Sequence, residues 1–250
     1  NKEVLKSLYF NLNEKAMPDS LEKELIGEQV AINEMPVSRS GSRNIPNASQ
    51  HNVPAWTVFA MFFIVISLGG SVVREKLNGS FVRLKTLPTN YLVSVLSKQL
   101  TYLFVTVTQA AVVFSLGIWL FPSMGLPRLN LPDLPGVTVV TLICGWCAVS
   151  YAIMIGVFAK TQEQSNGIGA VSIVLMAAVG GLLVPSFAMP ESFQFVMKLS
   201  PLHWCLEAYY GLFLEGGKLK DVVLNILPLL GITLVIQAIT LIGLKRKNLI

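Results

Sequence analysis

The sequence predicts an all-α membrane protein. Five transmembrane helices are visible and a sixth, N-terminal one is absent; an amphipathic cytoplasmic helix, outer re-entrant half-helices and a soluble N-terminal remnant of mixed α/β character complete the expectation. Three observations carry it. Hydrophobic residues make up 53% of the chain and charged residues 13%, against about 25% charged in soluble domains. The apolar residues are gathered into runs of about 20, the length that crosses a bilayer as a helix. The basic residues collect at the ends of those runs, at 74–98 and 245–247, and not within them. With a net charge of +5 placed this way, the expected partners include membrane lipids and exclude nucleic acid.

Residues 1–52 read as the C-terminal part of an extracytoplasmic domain, with six basic and seven acidic residues and no run long enough to span. Leu5, Leu8 and Leu12 suggest a helix, Asp19 and Glu22 have the spacing of a helix start, and Val30 and Ile32 alternate as in a short strand. A polar connector, Ser38 to Arg43, follows. The transmembrane domain, 53–250, opens with a span at about 55–73, anchored by Trp56 at the outer interface. The chain begins at Asn1 without a basic-then-apolar leader, and an odd number of spans from an outside amino end implies a further span before it.

The segment from Arg74 to Lys98 sets the orientation. It holds Arg74, Lys76, Arg83, Lys85 and Lys98 against the single acid Glu75, and short loops rich in Lys and Arg stay on the cytoplasmic side. Within it, Leu77, Phe81 and Leu84 recur on one stripe of a short helix that Pro88 ends. Such a helix lies in the headgroup layer as an amphipathic elbow, or presents its stripe to a partner's groove.

A second span, about 100–121, returns outward to a stiff, proline-rich connection, and a third, about 136–159, runs inward. On the third, Ala148, Ala152 and Gly156 sit four apart, a ridge of small residues that lets another helix approach. Cys144 and Cys147 have the spacing of a redox pair but no basic or helix-start surroundings to activate a thiol, so they read as packing residues. A fourth span, about 167–184, leads to a segment that Pro185, Pro190 and Pro201 cut into pieces too short to cross. These pieces should dip in from the outer face, where protein or water satisfies their freed backbone groups. Phe187, Met189, Phe193 and Trp204 there are suited to closing a dry constriction. The last span, about 222–244, runs inward to Lys245-Arg246-Lys247, so the carboxyl end is cytoplasmic, in agreement with the first basic cluster.

No catalytic constellation is visible. His203 and Glu207 share a helical face but lack the third ligand of a metal site. Gly216-Gly217-Lys218 is followed by Leu219 and is no phosphate-binding loop. No Asp, Glu, Lys or Arg falls inside the five spans, whereas ion-driven transporters keep an ionisable residue there. The drive is expected to come from elsewhere, so the chain is expected to be no enzyme and to hold neither cofactor nor metal.

Taken in order, the motif Arg74-Glu75-Lys76-Leu77-Asn78-Gly79-Ser80-Phe81, with Thr86-Leu87-Pro88 and Lys98, resembles the cytoplasmic signature of ABC-2 type transporter permeases. Met189-Pro190-Glu191 through Ser200-Pro201-Leu202-His203-Trp204-Cys205-Leu206-Glu207-Ala208 resembles the outer re-entrant segment of the same family. The likeness covers roughly residues 44–248. It implies six spans per subunit, a homo- or heterodimer with a second permease subunit, and a separate ABC ATPase subunit that binds Mg-ATP and docks on the cytoplasmic loop. Arg74, Glu75, Lys76, Leu77, Gly79, Phe81, Leu84 and Pro88 would then couple the ATPase to the membrane, and Pro185, Phe187, Met189, Pro190, Phe193, Pro201, Trp204 and Glu207 would form the outer gate. The branch with a large outer segment after its first span exports drugs, ions or other small amphiphiles through a bacterial inner membrane. A non-transporting scaffold of similar ancestry and a membrane-embedded enzyme are the rival readings.

Overall fold

A computed structural model describes residues 46–80, 91–131, 133–184, 189–214 and 219–246. The chain divides into two units, Asn1–Gly41 and Ser42–Ile250. The first unit, and with it residues 1–45 of the expected α/β remnant, lies outside the described residues, as do Phe81, Leu84, Pro88, Pro185 and Phe187.

Every regular element among the described residues is a helix. Helices α1 (Ala48–Phe62) and α2 (Ile64–Leu77) follow one another through Phe63. Asn47 caps α1, its side chain accepting from Gln50 N–H while the Gln50 side chain answers the Asn47 N–H. That reciprocal pair satisfies two of the four amide groups a helix start leaves open. At the other end Arg74 and Lys76 occupy the last turn of α2, where the helix dipole favours positive charge. Helix α3 (Tyr91–Ser115) begins well before its expected start, because Tyr91 to Lys98 continues the helix in a more polar register. A π-helical turn, Leu116–Leu120, extends it to Ser123.

Helix α4 (Leu134–Phe158) is the central element, with α2, α3 and α8 packed along it. Its residues are apolar on every face, and Cys144, Cys147, Ala148, Val149, Ala152 and Val157 are all at 0% exposure. Helix α5 (Gln162–Val179) is capped by Thr161, whose hydroxyl accepts from Gln164 N–H at 3.1 Å, and packs on α2.

Four stretches are long and apolar enough to cross a membrane: Ala48–Leu77, Val93–Ser123, Leu134–Phe158 and Val222–Arg246. The expected span at 167–184 is not among them. Its helix starts earlier, on the polar residues Gln162 to Asn166, and stops at Gly180, beyond which Gly181 adopts φ 91°. The apolar part, Gly167 to Val179, is roughly 13 residues or about 20 Å, less than the ~30 Å hydrocarbon layer. Yet the whole helix carries the chain from Ser165 beside Gly69 of α2 to Met176 and Gly180 beside Ser200 and His203, from one end of the bundle to the other. Left-handed φ at Gly181 costs a glycine nothing, and it turns the chain out of the helix.

A 3-10 turn at Glu191–Phe193, α6 (Gln194–Leu199) and α7 (Pro201–Leu214) follow, all short. Pro201 opens α7, a position that needs no backbone donor. Helix α8 (Leu219–Arg246) closes the described chain.

Candidate functional site

The base of the basic loop is tied at both ends. On its first flank, the Lys76 ammonium donates to the carbonyls of Gly156 at 3.3 Å and Val157 at 3.2 Å, and also to Ala159. These carbonyls end α4, where the helix leaves acceptors unsatisfied and carries partial negative charge. On the second flank, Lys98 of α3 pairs with Glu75 of α2 at 2.7 Å. The pair bridges directly the two helices that the loop joins in sequence. Arg74 and Leu77 point outward, Leu77 with 63% of its surface exposed, and Gly79 follows the helix with φ 68°. Of the expected coupling residues, then, Glu75 and Lys76 bind the helices together, Arg74, Leu77 and Gly79 lie at the helix end, and Phe81, Leu84 and Pro88 lie outside the described residues.

Close packing sets how α2 meets α4. Ala148 and Ala152 are fully buried, and a Cβ on Gly156 would stand 2.7 Å from both the Gly69 carbonyl and Val72 Cβ. From the other side, a Cβ on Gly69 would lie 3.3 Å from the Ala152 carbonyl and 2.7 Å from Ser165 Oγ of α5. Helices α2, α4 and α5 thus meet backbone to backbone beside the loop. The end of α8 joins them, since a Cβ on Gly243 would be 2.8 Å from Phe158 Cζ. Lys245 and Arg246 therefore end at the same side of the bundle as Arg74 and Lys76.

The proline-cut segment occupies the opposite end. The Ser200 hydroxyl donates to Met176 O at 3.0 Å and His203 Nδ1 lies 3.3 Å from Gly180 O, so the start of α7 completes the broken end of α5. Trp204 donates from Nε1 to Lys198 O at 2.7 Å, which folds α6 back on α7. The Glu207 carbonyl accepts from Asn225 of α8 at 3.4 Å. Tyr209 is fully buried with its hydroxyl 2.9 Å from Thr141 Oγ1 of α4, and Tyr210 bonds to His51 of α1. Helix α7 is thereby keyed into five neighbours, α1, α4, α5, α6 and α8. Of the expected gate residues, Pro201, Trp204 and Glu207 belong to α7; Met189 and Pro190 precede it, and Phe193 is 49% exposed.

Cys144, Cys147 and Cys205 are buried free thiols. No group of His, Cys, Asp and Glu able to hold a metal ion occurs among the described residues. His203 and Glu207, expected to share a face, do so within α7, with the imidazole turned to Gly180.

Sequence reasoning missed three features: Lys76 as a cap for α4, the Glu75–Lys98 pair, and a polar node at Ser150. That hydroxyl receives Gln99 Nε2 at 3.1 Å and Gln237 Nε2 at 3.3 Å. Each joins residues far apart in the chain, and only the uncharged Gln residues inside or beside apolar runs gave a sign of the last.

A search of curated proteins and a search of solved structures found no significant match. The family described as ABC-2 type transporter matches residues 28–214. That stretch takes in the tied base of the basic loop, the small-residue ridge of α4 and the whole of α7, three quarters of the chain in all, and the four apolar helices agree with it: the chain belongs to the ABC-2 type transporter family, as a multi-pass transmembrane permease of the ABC kind.

Proposed function

We propose that the chain is the transmembrane subunit of an ATP-driven exporter in a bacterial inner membrane. It moves a small amphiphile, drug, ion or lipid-like substrate out of the cytoplasm. A separate ABC ATPase subunit, carrying Mg-ATP, docks on the segment from Arg74 to Pro88, and a second permease subunit, identical or related, completes the pathway. The amino-terminal segment lies outside and the carboxyl end inside, with α7 and the residues before it as the outer gate.

The observation that carries this reading is the tied base of the loop. A segment that only rested on lipid would need no fixed attachment to the core, whereas a lever that receives force must be joined to what it moves. Glu75 to Lys98 and Lys76 to the end of α4 are such joints. Positive charge at both Arg74–Lys98 and Lys245–Lys247 supports the cytoplasmic side for this end.

The test is to express the chain with a candidate Walker-motif ABC ATPase, purify the pair and measure ATP hydrolysis against candidate drugs and lipids. Co-purification and substrate-stimulated hydrolysis are expected. Phe81→Asp places a charge on the predicted apolar stripe; a buried unpaired charge costs several kcal/mol, and every ~1.4 kcal/mol is tenfold in affinity. It should release the ATPase. Wild-type stoichiometry and activity in that variant would remove the coupling role.

A further inference from the structure

Helices α3 and α8 flank α4, and between them lies a cavity of about 230 Å³ lined by Val95, Gln99, Ser150, Ile153, Gln237 and Thr240. We infer that this wedge is a binding site for a small uncharged amphiphile that carries a hydroxyl or comparable donor–acceptor group. Its position within the bilayer follows from helix geometry. Ser150 lies eight residues before the end of α4 and Gln237 nine before the end of α8, which at 1.5 Å per residue is about 12–14 Å from the basic ends. The site is at membrane depth, in the leaflet that the basic clusters face.

Carboxamides at that depth are costly unless satisfied, and these two are only half used. Ser150 Oγ donates to Trp146 O at 2.7 Å and accepts one N–H from each glutamine, which fills its capacity. Thr240 spends its proton on Ile236 O at 2.7 Å. Among the described residues, the carboxamide oxygens of Gln99 and Gln237 accept no hydrogen bond. Two acceptors and two remaining N–H groups therefore border the cavity, converging from opposite walls. A hydroxyl group both gives and takes one bond, so it matches this pair.

The walls set the rest of the ligand. Ile153 and Leu244 are buried, and Leu96 and Leu241 are exposed at the mouth with 55% and 44% of their surfaces free. The opening is apolar and faces the membrane side of the helices, so entry is from lipid. No ionisable side chain lines the cavity, so a charged ligand would be left without a counter-ion. A cavity of ~150 Å³ admits benzene, and this one is larger, enough for a ring or a medium alkyl chain beside the hydroxyl.

The experiment uses the full chain in phosphatidylcholine vesicles and an eight-carbon alkanol bearing a diazirine. Neither the ATPase nor transport enters the readout, so the outcome is independent of the proposed coupling. Irradiation followed by peptide mass spectrometry should place the label on 95–99 and 237–244. Octanol should compete and octane should compete far less. Gln99→Leu and Gln237→Leu should each weaken competition by octanol about two- to twelvefold, the value of one net hydrogen bond. Leu241→Trp, which narrows the mouth and leaves the node intact, should abolish labelling without depending on either glutamine variant folding. Three results would overturn the inference: equal competition by octane and octanol, label spread over exposed helix faces such as that of Phe104, or no label at the wedge.

Discussion

Replacing Gly156 by Ala tests the contact on which the loop base depends. The added methyl would stand 2.7 Å from the Gly69 carbonyl and 2.7 Å from Val72 Cβ, where ordinary contact begins at 3.4 Å. Helices α2 and α4 must part by about 0.7 Å, and forcing one extra carbon into a packed site costs about 1–3 kcal/mol. The parting also draws the Gly156 and Val157 carbonyls from Lys76, whose charged hydrogen bonds contribute about 1.5–3 kcal/mol in a protein. Against this, Ala gains up to ~1 kcal/mol in helix propensity over Gly. The net destabilisation is about 2 kcal/mol. Gly231 of α8 is the internal control, because a Cβ there meets nothing within 4 Å and the same substitution should stabilise by up to ~1 kcal/mol. The buried thiols Cys144, Cys147 and Cys205 allow a thiol-reactive dye to follow unfolding in detergent at a fixed heating rate. At about 2–4 °C per kcal/mol for a chain of this size, the two variants should melt about 5–10 °C apart, with Gly156→Ala lower. If Gly156→Ala melts at or above Gly231→Ala, the packing of α2 on α4 described here is wrong.

Three further outcomes are expected. Lys76→Met keeps the apolar stem and removes the charge that caps α4; it should lower the melting temperature by several degrees, with Lys76→Arg between it and wild type. Because Glu75 and Lys98 are partly exposed, their coupling in a double-mutant cycle should lie within about 0.2–1 kcal/mol and weaken with salt; a larger, salt-insensitive value would place the pair in a drier site than the structure gives it. For the sides of the membrane, cysteines at Ser40 and Pro127 should react with an impermeant reagent from outside, and cysteines at Lys85, Lys160 and Lys247 should not. Outside labelling at position 85 would reverse the whole assignment.

The apolar helices were legible because burial in lipid demands long runs without charge, and a run of that kind is a local property. Its ends were less so. Tyr91 to Lys98 reads with the basic loop because Lys98 interrupts the apolar run, yet it is helix, since a helix needs no lipid to continue once begun. The break after Val179 went the other way: apolar residues run on to Val184, but Gly180-Gly181 ends the helix regardless of hydropathy. Contacts were legible only where a repeat carried them. Ala148, Ala152 and Gly156 announce a close approach without naming what approaches, and nothing local distinguishes Lys76, which caps α4, from Arg74, which is exposed. Both are basic residues of the same turn. Only the end of a helix some 80 residues later separates their roles.

The two joints at the loop base differ in strength, and that difference bears on how a docked ATPase would act. Helix α2 belongs to a stretch that is mostly buried, as is α4, whereas α3 and α8 are mostly exposed along their apolar lengths. The loop thus joins a central helix to a peripheral one. Toward the centre, α2 is held by backbone contact at Gly69 and Gly156 and by three carbonyls on Lys76, so α2, α4 and α5 move as one body or not at all. Toward the periphery, the Glu75–Lys98 pair is partly exposed and a single pair of that kind is inexpensive to break. A push on the loop would therefore part α3 from the central body before it disturbed α2 against α4. The cavity at Gln99 and Ser150 lies along that boundary, one residue beyond Lys98, so the same displacement would change its width. Alkanol labelling at the wedge, compared between Glu75→Gln and wild type, reads this directly: a loosened boundary should raise the yield, and an unchanged yield would mean that α3 is held by its apolar contacts alone.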